Sequence, residues 1–162
     1  MRTITCYMIL VALATLAAQS GMAARSAPVV FTISFPSLDG HVAQVDGQAP
    51  TDGRDTVELM MPIWSPGFYR IENYATKVTN FTATAYDHSA LTVTHVQTNR
   101  WRIQTGGRAS VCFSYQLACT GRSVTTDWVG TDFVVLNGPA TFVMLAEPAG
   151  HSYEVKLTLP TA

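Results

Sequence analysis

Apolar and polar residues alternate with a period of two along most of the chain. Val29, Phe31, Ile33 and Phe35 alternate with Thr32 and Ser34, and Val57, Leu59, Met61 and Ile63 alternate with Thr56 and Glu58. Successive side chains of a strand point to opposite faces, so each set lines one side of a sheet. The same beat returns at Phe81, Ala83 and Ala85, at Leu91 and Val93, at Trp101 and Ile103, and at Val111, Phe113, Tyr115 and Leu117. It continues through Phe133 with Val135, Phe142 with Met144, and Tyr153, Val155, Leu157 and Leu159 against Glu154 and Lys156. Turn chemistry separates the runs, as in "SLDG", "TGGRA", "CTGR" and "LNGPA", where Gly supplies positive φ and Asp or Asn tolerates it. About nine short strands with frequent turns predict an all-β fold, an antiparallel β-sandwich. One helix-like spacing, Ile71, Tyr74, Ala75 and Val78, predicts a short helical turn. No repeat, low-complexity tract or linker interrupts the pattern, which places one domain over residues 28–160.

The first residues follow a different logic. Arg2 precedes the apolar run "ITCYMILVALATLAA", and small residues follow in "QSGMAARSA". That order predicts a signal peptide over residues 1–23, cut after Ala23 give or take three residues. An uncleaved anchor is the competing reading, but the run of 15 residues falls short of the roughly 20 needed to span a bilayer. The expected product is exported, periplasmic or secreted, with no membrane association after cleavage. A chain of 162 residues, 48% hydrophobic and 13% charged, has the means to bury a core. Its net charge of -1 and lack of any Lys/Arg run exclude a nucleic-acid partner.

Export gives the cysteines meaning. Cleavage removes Cys6 and leaves Cys112 and Cys119, an even pair that invites a disulfide. Both lie in "SVCFSYQLAC", which alternates as one strand. Seven residues of strand separate them by roughly 23 Å, beyond the ~7 Å limit for bridged Cα atoms. Two free thiols on opposite faces are expected, unless a bulge or tight turn shortens the path.

Candidate chemistry is sparse. None of His41, His88, His95 and His151 has the nearby partner that a zinc site needs, and H-E-x-x-H is absent. His95, in register with Leu91 and Val93, is expected to pack, while His41, His88 and His151 are expected to be solvated in turns. No Ser lies in a G-x-S-x-G elbow, and neither Cys has a context that would activate it. Asp52 with Asp55, and Asp127 with Asp132, flank turns and are expected to serve local hydrogen bonds. Asn80-Phe81-Thr82 is a glycosylation sequon.

The remaining concentration of unusual residues is a bend. "MPIWSPGFYRIENYA", residues 61–75, gathers Trp64, Phe68, Tyr69 and Tyr74 around Ser65-Pro66-Gly67. This stretch is similar to the signature of the amino-terminal domain of the glycyl-aminopeptidase family of zinc metallopeptidases, Met-Pro-x-Trp-x-Pro-Gly-x-Tyr. Met61, Pro62, Trp64, Pro66, Gly67 and Tyr69 match it one by one, and Tyr74, Ala75 and Val78 continue it. Phe68 stands where the family usually has a small residue such as Ser. The aromatic early strand followed by His41, the Trp101 strand, "VCFSYQL" and "VTTDWVGTDFVVLNGPATFVML" resemble the same domain in the same order, over residues 29–160.

The resemblance implies a truncated chain: the thermolysin-like catalytic domain with H-E-x-x-H, and the PDZ-type domain after it, are missing here. Zinc is expected only in that catalytic domain, with no cofactor in this chain, which is expected to be inactive alone. The missing catalytic domain becomes the expected partner, and a peptide substrate could reach the cleft edge. Two readings of the bend stay open. In one, Pro66-Gly67 turns the chain and Trp64 and Tyr69 bury against the sandwich. In the other, Trp64, Pro66, Gly67, Phe68, Tyr69 and Tyr74 form a surface that docks a partner domain or borders its cleft. Packing with docking is preferred to direct substrate contact. The alternative for the whole chain is a stand-alone exported β-sandwich that binds a protein or sugar.

Overall fold

A computed structural model describes residues 26–147 and 150–160. The predicted signal peptide, residues 1–23, lies outside them. The strands begin with β1 (Val29–Ser37), β2 (Val42–Pro50), β3 (Thr56–Met60), β4 (Val78–Thr84), β5 (Val93–Gln97) and β6 (Arg100–Gln104). They continue with β7 (Ser110–Ala118), β8 (Trp128–Val129), β9 (Val134–Val135), β10 (Met144–Leu145) and β11 (Tyr153–Thr158). A single 3₁₀ turn covers Tyr74–Lys77, as the spacing there predicts, and a four-residue helix, α1 (Gly138–Thr141), adds a second turn that the pattern does not predict.

Two sheets enclose the core. The five-stranded sheet has the order β11-β1-β2-β7-β4 and the four-stranded one β10-β3-β6-β5, while β8 and β9 form a separate small hairpin. Val29, Phe31 and Ile33 of β1, Val57 and Leu59 of β3, Trp101 and Ile103 of β6, and Val111, Phe113, Tyr115 and Leu117 of β7 are all buried, each on the predicted face. Trp101 of one sheet lies 4.8 Å from Phe81 of the other with nearly parallel rings, so apolar contact joins the layers.

Four features differ from the sequence reading. The strand β2 is absent from it, because its inward positions Ala43, Val45, Gly47 and Ala49 are mostly small. Gly47 lies opposite Phe113, and a Cβ on Gly47 would fall 2.1 Å from the Phe113 ring; the missing side chain makes room for the aromatic one. Second, Val143 and Leu145 are buried, whereas Met144 is exposed; α1 resets the phase, and a one-residue shift exchanges the faces. Third, Phe133 and Val135 are exposed on the small hairpin rather than turned into the core. Finally, β11 pairs with β1 in parallel, Val29 opposite Tyr153 through Ser34 opposite Thr158, while the other strand pairs are antiparallel. A hairpin cannot make a parallel pair, and here the chain from β2 to β10 forms the crossover.

Candidate functional site

The bend leaves β3 and returns to the 3₁₀ turn. Asn99 holds its start: Met61 N–H donates to the Asn99 carbonyl at 2.9 Å, and the Asn99 side-chain amide donates to the Met61 carbonyl at 2.7 Å. Phe68 N–H then donates to the Ser65 carbonyl at 3.1 Å, closing a four-residue turn with Pro66 second and Gly67 third. Gly67 has φ +83°, a conformation that a β-turn of this kind needs at its third position and that residues with a Cβ resist. Glu72 N–H donates to the Ile63 carbonyl at 2.6 Å, and Glu72 accepts from Arg70 at 2.6 Å. The Arg70 guanidinium also lies 4.5 Å above the Phe68 ring, so one cation braces the returning limb.

This turn divides the aromatic residues into two groups. Tyr74 is only 2% exposed, and its hydroxyl shares a 2.8 Å hydrogen bond with the buried Ser65 hydroxyl. Tyr74 therefore supports the bend from within; it does not belong to the outer surface where the docking reading placed it. Trp64 is 51% exposed and Tyr69 96%, with Ile63 and Ile71 beside them in sequence and also exposed. Pro66 and Gly67 are exposed and Phe68 half-buried. The expectation that Trp64 and Tyr69 bury against the sandwich is thus not met, because the Gly67 turn carries the tip of the bend away from the sheets.

Asn137 connects the bend to a second apolar surface. Its carbonyl oxygen accepts from the Ser65 hydroxyl at 3.3 Å, while its amide donates to the Val124 carbonyl at 2.7 Å. Val124, Phe133 and Val135 are exposed, and with Arg122 and Trp128 they line an apolar recess of about 390 Å³. The Arg122 guanidinium stacks 3.9 Å over Trp128, which also meets the His41 ring at 4.5 Å and the Phe133 ring at 6.3 Å. The sequence reading placed Phe133 and Val135 in an alternating strand and Trp128 in a family-like stretch, but did not make any of these residues part of a candidate site.

Beneath this surface lies a buried carboxylate. Asp127 accepts from the Asn137 N–H at 2.7 Å and from the Thr141 hydroxyl at 3.0 Å. Burial raises its pKa above the ordinary carboxylate range, against the opposing influence of those hydrogen bonds and of Lys77. Asp127 therefore does more than serve a local turn: it ties β8 to α1. Asp132 is exposed, and Asp52 sits in a turn at φ 53°.

The histidines also depart from expectation. The His41 ring bonds the Val129 carbonyl and stacks on Trp128, and the His151 side chain is almost fully buried, meeting the Ala27 carbonyl at 2.8 Å and Asp52 at 3.2 Å. Neither is a solvated turn residue. His88 is exposed as expected, while His95 is exposed yet stacked on Trp101 at 5.2 Å. Among the described residues no three His, Cys, Asp or Glu side chains come together. His151 with Asp52 offers two ligands and no third, so these residues do not fit a catalytic zinc, which needs three. Cys112 and Cys119 are free, and burial pushes the Cys119 thiol up to about 12, the opposite of an activated nucleophile.

The model of the Peptidase M61 N-terminal domain matches residues 30–162. This chain belongs to that family. The fold of this M61 N-terminal domain is also similar to part of an aminopeptidase N family protein from Idiomarina loihiensis, at 22% identity and a TM-score of 0.74. That likeness covers 82% of this chain and 22% of the other, so the M61 N-terminal domain spans less than a quarter of the solved relative. No curated protein matches.

Proposed function

We propose that this M61 N-terminal domain is the non-catalytic β-sandwich of an exported glycyl-type zinc aminopeptidase, packing against its catalytic domain and helping to wall the cleft. The observation that carries this reading is the exposure of Trp64 and Tyr69 on a bend whose own interior is satisfied by Ser65, Tyr74 and Asn99. Large exposed apolar groups on a well-held backbone suit a preformed interface. Arg122, Val124, Trp128 and Phe133, joined to the bend through Asn137, extend the same face. Zinc and hydrolysis belong to the catalytic domain, and a peptide substrate meets this one only at the cleft edge. The apolar amino-terminal segment supports export to the periplasm or medium.

The test is to titrate the purified chain against a separately produced catalytic portion of an M61 peptidase by calorimetry. Trp64→Ser with Tyr69→Ser should weaken binding by about tenfold or more, as expected for exposed aromatic anchors, and leave melting unchanged. Absence of any binding would sink the docking role. Steady release of amino-terminal residues from reporter peptides by the chain alone, with zinc added, would overturn the non-catalytic assignment.

A further inference from the structure

The free edge of the larger sheet is built to pair with its own copy. The strand β11 lies beside β1, yet its inner-face residues Tyr153, Val155 and Leu157 remain 48%, 49% and 57% exposed, while their β1 partners Val29, Phe31 and Ile33 are buried. The core therefore stops one strand short of the sheet edge. Edge strands that stay single are commonly blunted by bulges, charge or shortness, and the other edges here are treated in that way. In β4 the register breaks between Thr79 and Thr82, where Asn80 has φ 56°, and Thr84 is bridged to Ala90. In β5 the register breaks between His95 and Gln97, and β10 has two residues. Among the described edge strands, β11 alone is regular, apolar on one face and six residues long.

Backbone direction fixes which groups are available. Val29 N–H donates to the Ser152 carbonyl at 2.9 Å. Strand residues alternate in the direction of their hydrogen-bonding groups, so Glu154 and Lys156 point theirs at β1, while Tyr153, Val155 and Leu157 point theirs outward. A second β11 running antiparallel about a two-fold axis at Val155 uses all of these. Val155 exchanges both bonds with its counterpart, and Tyr153 exchanges both with Leu157 of the other copy, in the closely bonded pairs of an antiparallel ladder. On the outer face the same register sets Glu154 directly opposite Lys156 of the other copy, twice by symmetry, in the non-hydrogen-bonded position where side chains lie closest. Centring on Glu154 or on Lys156 instead would oppose like charges. We propose that two copies of this chain associate through β11, continuing the five-stranded sheet across an isologous interface. The proposal is independent of the bend and of the reading given to it.

Sedimentation equilibrium of the purified full chain between about 1 and 100 μM tests this. A reversible monomer–dimer equilibrium is expected within that range. Lys156→Glu should raise the dissociation constant by about tenfold, because two cross-strand attractions become repulsions, and the double variant Glu154→Lys with Lys156→Glu should restore it. Far-ultraviolet circular dichroism, unchanged in both variants, confirms that folding is intact. Hydrogen exchange should show the Val155 amide protected in the dimer and open in the monomer. A chain that stays monomeric throughout, or a dimer whose strength Lys156→Glu leaves unchanged, overturns the proposal.

Discussion

Asp127 makes a quantitative test of the buried network. Its carboxylate is 1% exposed and accepts two hydrogen bonds, from the Asn137 N–H and the Thr141 hydroxyl. Asp127→Ala removes the oxygen that accepts both bonds and leaves the Asn137 N–H unpaired in a dry site, while the Thr141 hydroxyl keeps the Asn137 carbonyl at 2.8 Å as an acceptor. Hydrogen bonds to a charged group contribute roughly 1.5–3 kcal/mol each, but the substitution also relieves the cost of burying a charge, the cause of the raised pKa. The expected net loss is about 2–3 kcal/mol, or about 10 °C in melting temperature for a domain of this size. Asp127→Asn keeps an acceptor oxygen and removes the titration, and its cost at neutral pH is expected to be about 1 kcal/mol. The sign of the pH dependence is fixed. A carboxylate with a raised folded-state pKa binds its proton more tightly when folded, so its contribution is full below the unfolded pKa and is lost as pH rises through the folded one. Wild type should therefore gain on Asp127→Asn as pH falls from 7 into that window. Urea unfolding of the three proteins at pH 7 and at pH 4.5 measures this. An Ala variant whose unfolding free energy lies within about 0.5 kcal/mol of wild type, or a gain that runs the other way, would refute the reasoning.

Three further outcomes follow from packing and charge. Gly47→Val forces a side chain into the Phe113 ring and should cost about 2–3 kcal/mol in urea unfolding, part of which Phe113→Leu in the same chain recovers. Glu58 is held below its ordinary pKa chiefly by its hydrogen bond with Arg102. Its contribution is therefore present above the unfolded pKa and lost as pH falls through the folded one. For this largely solvent-screened pair, Glu58→Gln should cost no more than about 1 kcal/mol at pH 7 and nothing at pH 2.5 by urea midpoint. In alkylation at pH 8 followed by peptide mass mapping, Cys112 should react first and Cys119 only in denaturant, since burial keeps that thiol protonated; equal rates in the native protein would contradict its placement.

Much of the sandwich could be read from alternation alone, and its failures have identifiable causes. β1 and β7 carry large apolar side chains at every second position, so period and face agree. β2 carries Ala43, Val45, Gly47 and Ala49, which contribute little side-chain volume because Phe113 occupies the space from across the ladder. Phe142 packs on Phe31, but past it the buried positions are Val143 and Leu145 and Met144 faces out, since phase is set by α1 just before them. The row along β11 was identified, yet alternation cannot say what lies opposite; parallel pairing with β1 depends on the path of the intervening chain. At the bend, composition located the aromatics, and the matching signature located the family. The division between the inward Tyr74 and the outward Trp64 and Tyr69 follows from the left-handed backbone at Gly67, which residue counting cannot resolve. Asp127 sits in "TTDW", indistinguishable from a turn acid until α1 closes over it.

Pairing of Val29 with Tyr153 also governs when the domain can become native. β1 must wait for β11, synthesised more than a hundred residues later, because β11 is its neighbour on the flank away from β2. Closing a loop of that length is entropically costly and slow relative to local hairpins. This order predicts that nascent chains halted before Tyr153 stay sensitive to protease.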